Sequence, residues 1–166
     1  MKNDMEALND TLNRAYEALL NFVRENHTEG IDEAYEFFWE EDYPEDFLSG
    51  TALDIAFINF EDWLVCDYKH TDTFIDAFLS WKKEKGEEVD GETQKMLDAM
   101  KSSYISLYEV ASAGDGLALK DLLFNEAIEV GDGIGGLDAG DVFAARVLKV
   151  NGSNILGRCA YPFKQD

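Results

Sequence analysis

The sequence predicts an α+β protein, with an N-terminal segment of about five helices packed on a small five-stranded antiparallel sheet or SH3-like barrel. Up to residue 103, apolar residues recur at three- and four-residue steps, which is typical of amphipathic helices. From Tyr104 onward, short β-rich runs alternate with turns rich in Gly, Asn and Asp. We therefore expect a helical region over 1–103 and a small β domain over 104–166, or one integrated domain.

Net charge is the most unusual property of the chain. Its 166 residues include 35 acidic and 14 basic ones, for a net charge of −21. This charge argues against direct binding of DNA or RNA and against an anionic membrane, because each requires a basic protein face. It allows a basic protein as partner, and charge repulsion predicts a monomer or weak dimer. Two cysteines and a start without an apolar run predict a cytoplasmic protein.

The first two helices follow from apolar periodicity. The first helix is predicted from Asp4 to Glu25, and residues 27–30 read as a break. The second helix is predicted over residues 31–41, because Pro44 disfavours helical geometry just before it. Phe47 and Leu48 are expected in a short turn that Gly50 closes.

The central helix is predicted over 51–68, where apolar residues occupy nearly every direction around the helix axis. A helix that is hydrophobic all round is buried, so we expect Trp63 in the core and Thr51 as the helix cap. The stretch is too short and too acidic to span a bilayer. Two further helices are predicted after it, capped by Thr73 and by Asp90.

Five strands complete the prediction, with a hairpin turn at Asn151-Gly152. The predicted strands are 104–112, 117–122, 126–130, 141–150 and 154–161.

The candidate cofactor motifs are weak. The glycine-rich run Gly131 to Gly136 is followed by a strand, whereas a phosphate loop requires a helix there, so a plain turn is expected. Weak Ca²⁺ binding by its aspartates stays an alternative. Cys66 and His70 have the spacing of a metal-ligand pair, but a zinc site needs more ligands. The sequence therefore predicts no cofactor, no metal and no catalytic residue.

Arg146 lies in the most apolar predicted strand, VFAARVLKV. A buried arginine requires an acidic partner, and Asp121 or Asp141 could supply it. The expectation is a structural ion pair; the alternative is that Arg146 captures an anion or a ligand.

Several blocks together resemble a known family. In chain order they are Phe60-x-x-Trp63-Leu64-x-x-Asp67-Tyr68, Thr73 with Phe78-Leu79, Ser106 to Val110, Leu119-x-Asp121-Leu122, and Leu137-x-x-Gly140-Asp141-x-x-x-Ala145-Arg146-Val147. Over about residues 55 to 160, the chain resembles an uncharacterised bacterial domain that often precedes a C-terminal SEC-C zinc motif. The resemblance implies helices leading into a small β domain, with no established activity to transfer. The cysteine-rich tail is absent here, so the resemblance implies no zinc.

Within these blocks we select Asp67, Tyr68, Asp121 and Arg146 as candidate binding residues. The leading interpretation is a cytoplasmic, non-enzymatic protein-binding or adaptor module. One alternative is an acidic DNA-mimic inhibitor of a nucleic-acid-binding protein, which requires an ordered ridge of carboxylates. Another is a hydrolase that uses surface carboxylates, which requires a pocket with acids of raised pKa.

Overall fold

The computed structural model describes residues 4–131 and 136–163. In these residues, six helices are followed by a five-stranded antiparallel sheet, so the α+β class is confirmed. The elements are α1 (Asp4–Asn26), α2 (Thr28–Trp39), α3 (Pro44–Phe47), α4 (Gly50–Cys66), α5 (Phe74–Glu84), α6 (Gly91–Ser102), β1 (Ile105–Ala113), β2 (Leu117–Asp121), β3 (Glu126–Val130), β4 (Val142–Val150) and β5 (Ser153–Phe163). Among the described helices, none combines the length and the apolar character that a bilayer crossing requires.

The chain divides into two compact units. The sheet unit contains the described residues of 1–10 and 102–166, and the helical unit contains residues 11–101.

The start of α2 differs from the prediction. The expected break over residues 27–30 shrinks to His27, and α2 begins at Thr28 with Gly30 inside it. Helical hydrogen bonds continue across this point, since the amide of Ile31 donates to the carbonyl of His27 over 3.1 Å. One glycine costs a helix only about 1 kcal/mol, so it did not end this one.

The segment between α2 and α4 also differs from the prediction. Instead of a turn, Pro44 opens the four-residue helix α3. A proline is tolerated there because the first amides of a helix have no acceptor within the helix, so its missing N–H loses no helical hydrogen bond. The cap of α4 is Ser49 rather than Thr51, and the Ser49 side chain makes no capping hydrogen bond.

The caps of α5 and α6 are confirmed. The Thr73 hydroxyl accepts from the Asp76 amide over 3.2 Å, and the Asp90 carboxylate accepts from the Thr93 amide over 2.8 Å. Capping hydrogen bonds lower the pKa of Asp90, which stabilises the ionised carboxylate at the positive end of α6.

The five strands follow the order β3-β2-β1-β4-β5. Three consecutive strands and a fourth that returns beside the first define a Greek key. The outer strands β3 and β5 also approach each other, because the Asn154 amide donates to the Glu129 carbonyl over 3.1 Å. The predicted small, strongly bent antiparallel sheet is therefore confirmed.

The hairpin between β4 and β5 is the predicted one. Asn151 and Gly152 both have positive φ, 52° and 77°, as a type I′ turn requires. Of the glycine-rich run, residues 132–135 lie outside the described residues.

One face of the sheet carries a hydrophobic core. Every second residue of the strands faces it, as the period of a β-strand dictates. Its members are Tyr108, Val110, Leu117, Leu119, Ile128, Val130, Phe143, Ala145 and Val147.

Candidate functional site

The four candidate binding residues fall into both units. Asp67 and Tyr68 follow the end of α4 in the helical unit, while Asp121 and Arg146 lie in strands of the sheet unit. Each unit therefore needs its own description as a candidate site.

Arg146 is fully buried, as the sequence predicted, but its predicted ion pair with Asp121 is wrong. Its guanidinium donates to the Ser103 hydroxyl over 2.9 Å. Along β1, Arg146 stands opposite Ile105, whereas Asp121 stands opposite Tyr108. Positions three residues apart on a strand point to opposite faces, so the two charged side chains lie on different faces of the sheet.

Asp121 instead holds the turn between β2 and β3. One carboxylate oxygen, Oδ1, accepts from the Ser106 hydroxyl at 2.7 Å, from the Leu123 amide at 2.9 Å and from the Phe124 amide at 3.0 Å. Burial raises the pKa of Asp121, but these hydrogen bonds outweigh burial and hold the pKa below its ordinary value. Nearby Tyr108 responds in the opposite direction, since burial and the charge of Asp121 both raise its pKa.

The turn that Asp121 holds presents apolar side chains to solvent. Leu123 is 64% exposed and Phe124 is 59% exposed. The Phe124 ring contacts the exposed Tyr104 ring edge-on, with 5.2 Å between centroids. These side chains therefore form a small apolar surface on an ordered turn.

Tyr68 belongs to a row of aromatic rings in the helical unit. The Phe37 ring stacks on Trp63, with 6.0 Å between centroids and 11° between planes. Trp63 contacts Tyr68 at 5.1 Å, and Tyr68 contacts Phe74 at 6.0 Å. Phe37, Trp63 and Tyr68 thus form a row that runs from the surface toward buried Phe74.

The prediction that α4 is buried all round and that Trp63 is core is wrong in part. Trp63 is only half-buried, and the first half of α4 exposes Ile55 and Ile58. Phe37 on α2 is 68% exposed and Phe47 on α3 is 72% exposed. Apolar composition alone could not reveal this, because burial depends on which neighbouring element covers each helix face.

This exposed apolar surface lies in the most acidic part of the chain. Between Arg24 and Lys69 there are 14 acidic residues and no lysine or arginine. One of these acids, Glu33, stands four residues before Phe37, so the two lie on the same side of α2. The Glu33 carboxylate Oε2 lies 3.3 Å from His70 Nδ1. A carboxylate therefore stands one helical turn from the exposed Phe37 ring.

The end of α2 carries unfavourable features. Glu40 and Glu41 have positive φ, 49° and 77°, which costs a residue other than glycine about 1–2 kcal/mol. They also place negative charge at the helix end that favours positive charge, and the last turn of α2 has no basic residue.

Two tyrosines secure the chain after α2. The Tyr35 hydroxyl donates to Glu45 over 2.6 Å, and the Tyr43 hydroxyl donates to Glu36. The Tyr35 and Tyr43 rings stack with 5.8 Å between centroids. The bond to Glu36, followed by partial burial, raises the pKa of Tyr43 to about 12. Both phenols therefore stay protonated donors at neutral pH.

At the end of α5, lysine side chains lie over a half-buried aromatic ring. Lys85 Nζ lies 4.0 Å from the centroid of the Trp81 ring, and Lys82 Nζ lies 5.5 Å from it. Lys82 also pairs with Glu87 over 2.7 Å. Aromatic ring, cation and carboxylate thus occur together at the end of α5.

Sequence reasoning identified Tyr68 as a candidate but missed two exposed apolar features, first Phe37 and second the turn Leu122–Phe124. The gap in basic residues between Arg24 and Lys69 was a signal that could have located the first. The run of three apolar residues after Asp121, placed in a turn, could have located the second.

Cysteine and metal chemistry add little to this picture. Cys66 and Cys159 are buried and form no disulfide. Within residues 4–131 and 136–163, no three His, Cys, Asp or Glu side chains are grouped as metal ligands.

The fold and the surface define the class: an α+β protein with an acidic helical unit and a small Greek-key sheet unit. The chain belongs to the family of unknown function DUF7986, whose model matches residues 56–166. This match confirms the expected membership in an uncharacterised domain family. No curated protein and no solved structure matches the chain. Phe37 and α3 precede the matched residues, whereas Trp63, Tyr68 and the sheet lie within them.

Proposed function

We propose that this protein is a non-enzymatic protein-binding module that holds a basic partner protein through its helical unit. The observation that carries the proposal is the Phe37 ring, 68% exposed, stacked on Trp63 in a part of the chain without lysine or arginine. An exposed aromatic side chain held in place by a second ring loses little conformational freedom on binding, which favours an interface role.

The surroundings of Phe37 support a basic partner. Acidic groups that flank an apolar contact attract a basic protein over several ångströms and exclude other acidic proteins. A cytoplasmic location accompanies the proposal, since buried thiols without a disulfide suit a reducing compartment. The association of this domain with a SEC-C motif and a bacterial source stay predictions of the sequence.

Capture experiments with the full chain test the proposal. Immobilised wild-type protein, Phe37→Ala and Phe124→Ala are exposed to an extract of the source cells, and retained proteins are quantified by mass spectrometry. Phe124 is a matched control, because it is also an exposed phenylalanine but lies in the sheet unit. We expect a basic protein that wild type and Phe124→Ala retain, that Phe37→Ala loses, and that added salt releases.

Two results would contradict this function. Retention of no stable partner would remove the binding role, and loss of the partner with Phe124→Ala alone would move it to the turn between β2 and β3. The DNA-mimic alternative predicts a third pattern, in which the partner is a nucleic-acid-binding protein retained equally by Phe37→Ala, because carboxylates alone would carry the binding.

A further inference from the structure

We infer that the Phe37 surface, made of Phe37, Trp63 and Glu33, receives an arginine side chain from a basic segment of the partner. This inference rests on the proposed function and adds the residue type that the surface recognises. At the end of α5 a lysine lies over the aromatic ring, whereas Phe37 has no such cation from the described part of its own chain.

At the end of α5, a cation contacts both an aromatic ring and a carboxylate. Trp81 is covered by Lys85 at 4.0 Å and by Lys82 at 5.5 Å, and Lys82 pairs with Glu87. The aromatic face, the cation and the carboxylate all come from the chain itself. A cation over an aromatic ring is attracted by the negative charge density of the ring face.

The Phe37 surface contains the aromatic face and one carboxylate, Glu33, which contacts the His70 ring rather than a lysine or arginine. Lysine side chains lie over the rings of Phe78 and Trp81, both on α5. Arg24, at one end of the gap in basic residues, pairs with Glu61 over 3.2 Å. One face of the Phe37 ring lies on Trp63, and its 68% exposure leaves the opposite face to solvent.

Arginine suits this surface better than lysine. A guanidinium is planar and weakly hydrated, so it stacks on a ring while its edge donates two hydrogen bonds to a carboxylate. Glu33 stands one turn before Phe37 on the same side of α2, where the edge of such a guanidinium can approach its carboxylate. An ammonium group is more strongly hydrated and offers no flat face, so it gains less from the ring.

Charge complementarity indicates which residues should surround the recognised arginine in the partner segment. With 14 acids between Arg24 and Lys69, the surroundings favour further basic residues next to the recognised arginine. Exposed Ile55 and Ile58 stand one turn apart on α4 and add apolar area to the same unit. A basic segment with some apolar side chains therefore fits the helical unit.

Three synthetic peptides of one amphipathic sequence test the inference against the full chain. They carry arginine, lysine or glutamine at the same polar positions, and their affinities are measured by isothermal titration calorimetry for wild type, Phe37→Ala and Phe124→Ala. We expect the arginine peptide to bind wild type more tightly than the lysine peptide, by up to about two- to fivefold, which is the full effect of an exposed cation–π contact. Phe37→Ala should abolish this preference, and Phe124→Ala should retain it.

Other outcomes overturn the inference. Equal affinities of the arginine and lysine peptides for wild type would show that the surface recognises charge alone. A preference for arginine that survives in Phe37→Ala would place the recognition elsewhere, and binding of the glutamine peptide as tightly as the others would exclude a cation. If cellular capture depends on Phe37 while the peptides do not discriminate, only this inference fails. If capture shows no partner at all, the proposed function fails.

Discussion

Replacing Asp121 tests how the sheet unit holds the turn between β2 and β3. Asp121 is fully buried, and its Oδ1 accepts three hydrogen bonds, from Ser106, Leu123 and Phe124. Asp121→Ala removes the acceptor for all three donors at once. The Ser106 hydroxyl is buried as well, so the substitution leaves it without this acceptor in the interior.

The expected loss follows from these three donors. A buried hydroxyl left without a partner costs about 1–3 kcal/mol, and each turn amide that exchanges a carboxylate for water costs about 0.5–1 kcal/mol. The other oxygen, Oδ2, is buried without a hydrogen bond among the described residues, and removing it recovers part of the loss. The free energy of unfolding should therefore fall by about 2–4 kcal/mol.

Urea titration of the full chain measures this difference. Asp141→Ala is the matched control. Within the described residues, the Asp141 carboxylate accepts a hydrogen bond from the exposed Asp138 amide, over 2.8 Å. We expect the control to lose less than about 1 kcal/mol. A loss below about 1 kcal/mol for Asp121→Ala as well would refute the view that this carboxylate holds the turn.

The pH dependence provides a second test. Since the folded-state pKa of Asp121 is lowered, its carboxylate stabilises the folded protein above the ordinary pKa of about 4 and loses this effect as the pH falls. The difference in stability between wild type and Asp121→Ala should be full at neutral pH and shrink below about pH 4. A difference that stays constant over this range would contradict the ionised hydrogen-bonded state.

Three further substitutions have definite expected effects in the same urea assay. Glu41→Gly should raise the free energy of unfolding by about 1 kcal/mol, because glycine adopts the φ of 77° without strain and removes charge at the end of α2; no gain would contradict this. Thr73→Ala should cost about 1 kcal/mol through loss of the α5 cap, while Thr71→Ala should cost little. Gly152→Ala should cost about 1 kcal/mol at its positive φ, whereas Gly91→Ala, in a helix and with open space around it, should stabilise. Equal effects of the two alanines would refute the turn argument.

Much of the fold could be predicted because its signals are local. Thr73 and Asp90 cap the helices that they were expected to cap, since capping depends on residues only three positions apart. Asn151-Gly152 forms its hairpin because both residues tolerate positive φ. The five strands lie within a residue or two of the predicted runs for the same reason.

The candidate site could be predicted only in part. Arg146 and Asp121 are both fully buried, and the apolar run around Arg146 indicated burial. Their pairing was wrong because it depends on strand register, which sets Arg146 opposite Ile105 and Asp121 opposite Tyr108. Phe37 was not selected, because its exposure depends on how α2 lies against α4.

By itself, the sequence determined the fold class, most element boundaries and the net charge of −21. These properties depend on composition, periodicity and short-range hydrogen bonds, all of which involve residues that are close in sequence. Tertiary structure alone decided that Trp63 is half-buried under an exposed Phe37, and that Asp121 braces a turn instead of pairing with Arg146. Burial and register are relations between segments distant in sequence, so they exist only once those segments are packed together.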